Sequence, residues 1–153
     1  MSQTFLRQTF LRRTILGLGL GGAVGALLAR TPSYAATETY KADLKGSSEV
    51  PPNETKGTGT VTATYDPATK ELSWKGSYSG LTGDITAAHF HGPAEVGKNA
   101  GVEVAIPGAT SSPAEGSATL TDAQAADLAG GKLYVNVHTA ANPGGEIRGQ
   151  VTK

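Results

Sequence analysis

From residue 37 to the end of the chain, apolar side chains return at every second position in short runs. The cleanest are Val61, Ala63 and Tyr65, then Leu72 and Trp74, then Leu133, Val135 and Val137. Alternation of this kind sets one face of a β-strand on a core and the other toward solvent. Such runs, rich in Thr, Val, Tyr and Ile, predict eight strands over 37–44, 57–65, 71–78, 85–91, 102–106, 116–120, 132–138 and 145–152. Clusters of Gly, Pro, Asn and Asp separate them, which is how antiparallel strands are punctuated.

Asp66-Pro67 opens a turn between the second and third runs, so Val61, Ala63 and Tyr65 are expected to face Leu72, Trp74 and Tyr78 across a hairpin. The single tryptophan is therefore a core residue. One helical signal interrupts the strands: in "TDAQAADLAGG", Thr121 and Gln124 have the spacing of a capping box, and Gly130 is placed to end the helix in a left-handed conformation. Short strands without βαβ alternation predict an all-β fold, two antiparallel sheets face to face with Greek-key links or, alternatively, a small closed barrel.

Residues 1–35 carry a different pattern. Arg7, Arg12 and Arg13 precede an uncharged Gly/Ala/Leu stretch over 15–29, and Ser33 and Ala35 put small side chains where a signal peptidase cuts. This reads as an export signal, with the mature domain at 36–153 and a periplasmic or extracellular destination. The adjacent arginines favour the twin-arginine route over ordinary secretion. The apolar stretch falls short of the roughly 20 residues a membrane span needs, so no anchor is expected once the signal is removed.

Of 13 basic residues in the chain, four lie in this segment and nine remain against 13 acidic ones, a net charge of −4 for the domain. That balance argues against a nucleic-acid partner, which calls for a basic face. There is no cysteine. The fold must hold by packing alone, and thiolate chemistry is unavailable to any metal site or nucleophile.

All three histidines lie in two of the strand runs, His89 and His91 in one and His138 in the other. On a strand, His89 and His91 project to the same face, with Cα atoms roughly 6.5 to 7 Å apart, close enough for two rings to meet one ion. His138 joins them if the two strands are neighbours. Three imidazoles without sulfur suit copper or zinc, with water or a carboxylate in the remaining position, and Asp84, Glu95 and Glu146 are the candidate carboxylates. Alternatively, the histidines serve the structure by hydrogen-bonding backbone carbonyls at a sheet edge. Tyr134 and Asn136 share a strand face with His138 and are expected to orient an imidazole.

In "NPGGEIRGQV", Glu146 and Arg148 stand two residues apart and are expected to pair and fix the last strand; the other reading has Arg148 steering a small anion toward the histidines. No G-x-S-x-G or other nucleophile arrangement is present, and the few aromatic residues leave little for a sugar cleft.

Taken in order, H-x-H-G-P-A at 89–94, Y-V-N-V-H-T at 134–139 and N-P-G-G-E-I-R-G-Q at 142–150 resemble the CHRD domain, the module named after chordin; "LKGSSEVPP" at 44–52 resembles the family's opening segment. The resemblance implies an immunoglobulin-like all-β sandwich or barrel and no assigned reaction. The chain is also loosely similar to copper–zinc superoxide dismutase, which holds copper with an H-x-H strand and a later strand histidine. With three histidines in all, nothing is left to complete a zinc site, so that likeness implies a mononuclear copper site. The functions in view are an exported metal-binding domain, a non-catalytic module for a protein or cell-envelope partner, and a copper redox enzyme acting on superoxide or peroxide.

Overall fold

The structure, a computed structural model, describes residues 36–153; the expected export signal lies outside the described residues. In chain order the elements are β1 Glu38–Lys45, a 3-10 turn at Gly46–Ser48, β2 Thr58–Asp66, β3 Glu71–Ser79, β4 Ile85–His91, β5 Val102–Ala105, β6 Ala114–Thr119, α1 Asp122–Ala129, β7 Tyr134–Thr139 and β8 Ile147–Gln150. All eight expected strands are present within a few residues of their expected ends. The last is the most shortened, because Gly145, at φ +130°, and Glu146 serve the turn that precedes it.

The strands form one continuous antiparallel sheet in the order β5-β4-β7-β8-β1-β2-β3-β6. It curls into a nearly closed barrel, so the barrel alternative describes it better than two separate sheets. The curl is visible in the core: Trp74 of β3 meets Phe90 of β4 edge to face, ring centroids 5.3 Å apart, although the two strands are far apart in sheet order. Leu72, Phe90, Leu133, Val135, Val137 and Ile147 are fully buried in the same cluster.

The β2–β3 hairpin forms as its alternation requires, with Ala63 opposite Trp74 and Tyr65 opposite Leu72. Val61 lies opposite Gly76 instead of Tyr78, and the space this glycine leaves is taken by the Tyr78 ring, whose hydroxyl would sit 2.9 Å from a Cβ there.

The capping box of α1 is in place: Gln124 N–H donates to Thr121 Oγ1 at 3.2 Å and Thr121 N–H to Gln124 Oε1 at 2.9 Å. The helix ends one residue later than its sequence suggests. Gly130 keeps a right-handed conformation, φ −79°, and Gly131 takes the left-handed one at φ +66°. Gly130 N–H still bonds Ala126 as a helical residue does, and the N–H groups of Gly131 and Lys132 then close on the carbonyls of Leu128 and Asp127. This is the Schellman pattern, and it hands the chain to β7.

Candidate metal centre

β4 and β7 pair antiparallel with His89 opposite Asn136, His91 opposite Tyr134 and Ala87 opposite His138. Because Ala88, Phe90, Val135 and Val137 turn inward to the core, their strand neighbours turn outward together. That outward face is roofed. Segments 92–101, 140–145 and 46–53 fold back over it, leaving Tyr134 and Asn136 each 3 % exposed and His91 9 % exposed.

Under this roof the three imidazoles meet, with ring centroids 5.5 Å apart for His89 and His91, 5.2 Å for His89 and His138, and 5.9 Å for His91 and His138. Each offers a ring nitrogen within 4.8 Å of the others'. Two of the rings are oriented from behind: Nδ1 of His91 faces the Ala100 carbonyl at 3.2 Å, and Nδ1 of His138 faces the Pro143 carbonyl at 3.0 Å. A carbonyl only accepts, so each Nδ1 donates, and in the neutral ring this tautomer leaves the lone pair on Nε2. Nε2 of His91, Nε2 of His138 and Nδ1 of His89 are buried and without a partner. Burial pushes the His89 and His91 rings below the usual histidine value, with the neighbouring histidines adding to the effect. Both are thus neutral near pH 7, as ligation requires.

The donor set fits a transition ion. Nitrogens about 2.0–2.1 Å from a tetrahedral ion lie roughly 3.3 Å from one another, so rings already within 4.8 Å close on it by small side-chain shifts. Among the described residues the cluster contains only the three histidines, and neither Asp84, Glu95 nor Glu146 joins it.

Glu146 and Arg148 do not pair. Glu146, fully buried, accepts from Thr55 Oγ1 and Thr82 N–H at 2.7 Å each and from Thr139 Oγ1 at 2.6 Å. Burial alone would raise its pKa, but these hydrogen bonds outweigh it and hold the group at about 2. Arg148 lies instead over the Tyr134 ring, 3.4 Å from its centroid, donating to Asn99 Oδ1 at 2.9 Å and to the Lys98 carbonyl. Tied down in this way and 2 % exposed, it is not presented to a passing anion. Tyr134 and Asn136 lie on the strand face of the histidines, and Tyr134 stacks on His91.

Glu49 is the site residue that the alternation pattern does not mark. It comes from the turn after β1, is 6 % exposed, and accepts from Asn136 Nδ2 at 2.7 Å. Burial raises it to about 7, against the lowering influence of Arg148, Asn136 and the Val50 N–H. The only sequence signal for it is its place in the "LKGSSEVPP" segment.

The chain matches the CHRD domain family over residues 40–151 and belongs to it. All three histidines, Glu49, Asn136 and Arg148 fall within the matched span. No curated protein and no solved structure matches the chain.

Proposed function

We propose that this CHRD domain binds a single transition-metal ion through His89, His91 and His138, copper foremost and zinc next, and that it does so as an exported protein in the periplasm or outside the cell. One observation carries the reading: three buried ring nitrogens on one sheet face converge without hydrogen-bond partners, two of them aimed by carbonyls behind their rings. Copper(II) forms the stronger complexes with such nitrogen ligands, and a histidine-only set suits either ion. No helix among the described residues is long and apolar enough to cross a membrane.

The test is copper and zinc titration of the purified protein with electron paramagnetic resonance of the copper form. Near-stoichiometric binding with nitrogen hyperfine splitting is expected, and each of His89→Ala, His91→Ala and His138→Ala should weaken it by well over tenfold. Unchanged affinity in all three variants would sink the reading.

A second reading, a non-catalytic module for a protein or envelope partner, is favoured by Val96, 79 % exposed beside a depression lined by Ser47, Val50 and Pro52. A melting temperature indifferent to added metal would favour it.

A further inference from the structure

Six buried polar side-chain atoms among the described residues lack a hydrogen-bond partner. Two, Trp74 Nε1 and Tyr78 Oη, belong to β3. The other four, His89 Nδ1, His91 Nε2, His138 Nε2 and Asn136 Oδ1, come from one face of two adjacent strands. A buried polar atom left unpaired costs about 1–3 kcal/mol, and folded proteins rarely tolerate it. Four together mark a place built to hold something. An ion satisfies the three nitrogens and leaves the amide oxygen to be explained.

Asn136 stands opposite His89 in the β4–β7 register and two residues before His138 on the same face. Its amide is fixed from the far side. Nδ2 donates to Glu49 Oε1 at 2.7 Å, and Gly145 packs so closely that a Cβ there would lie 2.5 Å from Nδ2 and 2.7 Å from Oδ1. Turning the amide over would give up the Nδ2–Glu49 hydrogen bond and, with Glu49 ionised, set oxygen against carboxylate, acceptor against acceptor. The oxygen is therefore the free atom of the pair, beside the histidines.

We propose that Asn136 Oδ1 holds a small ligand bearing an O–H, water in the resting site, on the coordination position that the three imidazoles leave open, with Glu49 as the positioning residue that keeps the amide aimed. This rests on the metal-binding reading above. An amide oxygen accepts and does not donate, so the position favours water, hydroxide, an alcohol or a hydroperoxide over an aprotic anion such as azide. The site's ligand class is thus set by a residue that touches the ligand without holding the metal.

The experiment uses the copper-loaded full chain and two probes: electron–nuclear double resonance in H2O and D2O, which reads exchangeable protons near the ion, and azide titration followed by absorbance. The wild-type protein should show a strong exchangeable-proton coupling. Asn136→Leu and Glu49→Leu should keep the three nitrogen couplings, lose the proton coupling and bind azide several-fold more tightly. Glu49→Gln, which still accepts from Asn136 Nδ2, should behave as wild type.

Copper uptake without a strong exchangeable-proton coupling in the wild-type protein, beyond the weak ones of the His91 and His138 Nδ1–H groups, would overturn the proposal while leaving metal binding intact, and it needs no variant to be read. Unchanged proton coupling and azide affinity in a folded Asn136→Leu protein would overturn it equally. Failure of the wild-type protein to take up copper or zinc would overturn the metal-binding reading and this one with it.

Discussion

Tyr134 lies face to face with His91, ring centroids 5.0 Å apart and planes 7° from parallel. The two also share a carbonyl: Ala100 O faces Nδ1 of His91 at 3.2 Å and accepts from the Tyr134 hydroxyl at 3.3 Å, while Ala100 N–H donates back to that hydroxyl at 3.1 Å. Tyr134 thus controls both the plane of the His91 ring and the group that orients it.

Two substitutions separate these roles. Tyr134→Phe keeps the stack and leaves the Ala100 N–H unpaired, so it should destabilise by about 1 kcal/mol and weaken copper binding less than tenfold. Tyr134→Ala removes the ring between His91 and Arg148, which should cost roughly 3–5 kcal/mol and weaken copper binding more than tenfold. Calorimetric titration and thermal melts of both variants check this. Equal effects of the two would mean that the ring does not orient the histidine.

Arg148 ties the roof to the barrel. From β8 it crosses the Tyr134 ring and holds Asn99 Oδ1 and the Lys98 carbonyl, next to the Ala100 carbonyl on which His91 rests. A lysine offers no planar fork and stacks less well. Arg148→Lys is therefore expected to destabilise by about 1–3 kcal/mol and to speed hydrogen exchange at the Ala100 amide more than in the core strands. Uniform acceleration across the barrel would instead point to a general loss of stability.

The contrast between the inner and outer faces of β7 explains how much of this molecule the chain discloses. Leu133, Val135 and Val137 alternate with polar residues, and that pattern alone places them in the core, where they are. The same alternation puts His89, His91 and His138 on outward faces, and their convergence needed only that β4 and β7 be neighbours. It puts Tyr134 and Asn136 on that same face but does not show that the face is covered: both are buried, because the roof is made of irregular segments with no hydrophobic period. Glu49, on one of those irregular segments, was hidden for the same reason, and the carbonyls of Ala100 and Pro143 because backbone acceptors leave no trace in residue identity. The expected Glu146–Arg148 pair failed because nearness along the chain does not count the three donors that reach Glu146 from elsewhere.

Glu49 should impose a pH dependence of unusual sign. Its folded-state pKa, about 7, lies above the ordinary carboxylate value of 4.5. Between those values the folded protein binds the proton more readily than the unfolded chain, so this contribution falls as pH rises from about 4.5 to 7 and is flat above. The difference of about 2.5 between the two values corresponds to about 3 kcal/mol. Glu49→Gln removes it and should leave the metal-free protein more stable at pH 8 by about that amount, with little difference at pH 4.5. His89 and His91, lowered by burial, give a slope of opposite sign, but both proteins carry it and it cancels in the difference. Urea denaturation at pH 4.5 and 8 decides; parallel curves would refute the buried-carboxyl account.

Glu146 should behave in the opposite way, although it too is a buried carboxyl. It pins three segments at once, through Thr55 before β2, Thr82 before β4 and Thr139 at the end of β7. Its pKa of about 2 means that its contribution is present above pH 4.5 and is lost as pH falls toward 2. In Glu146→Gln the amide oxygen can still take the Thr82 N–H and the Thr55 hydroxyl. The amide NH2 then faces Thr139 Oγ1, which already accepts from the Asn142 N–H at 3.1 Å and needs somewhere to place its own proton. The variant should be less stable than wild type by about 1–3 kcal/mol at pH 7. As pH falls to 3, wild type loses the carboxylate's advantage while the variant has none to lose, so the gap should narrow. Guanidinium denaturation at the two pH values reads it directly. A gap that stays constant would mean that the hydrogen bonds at Glu146 do not favour the charged form.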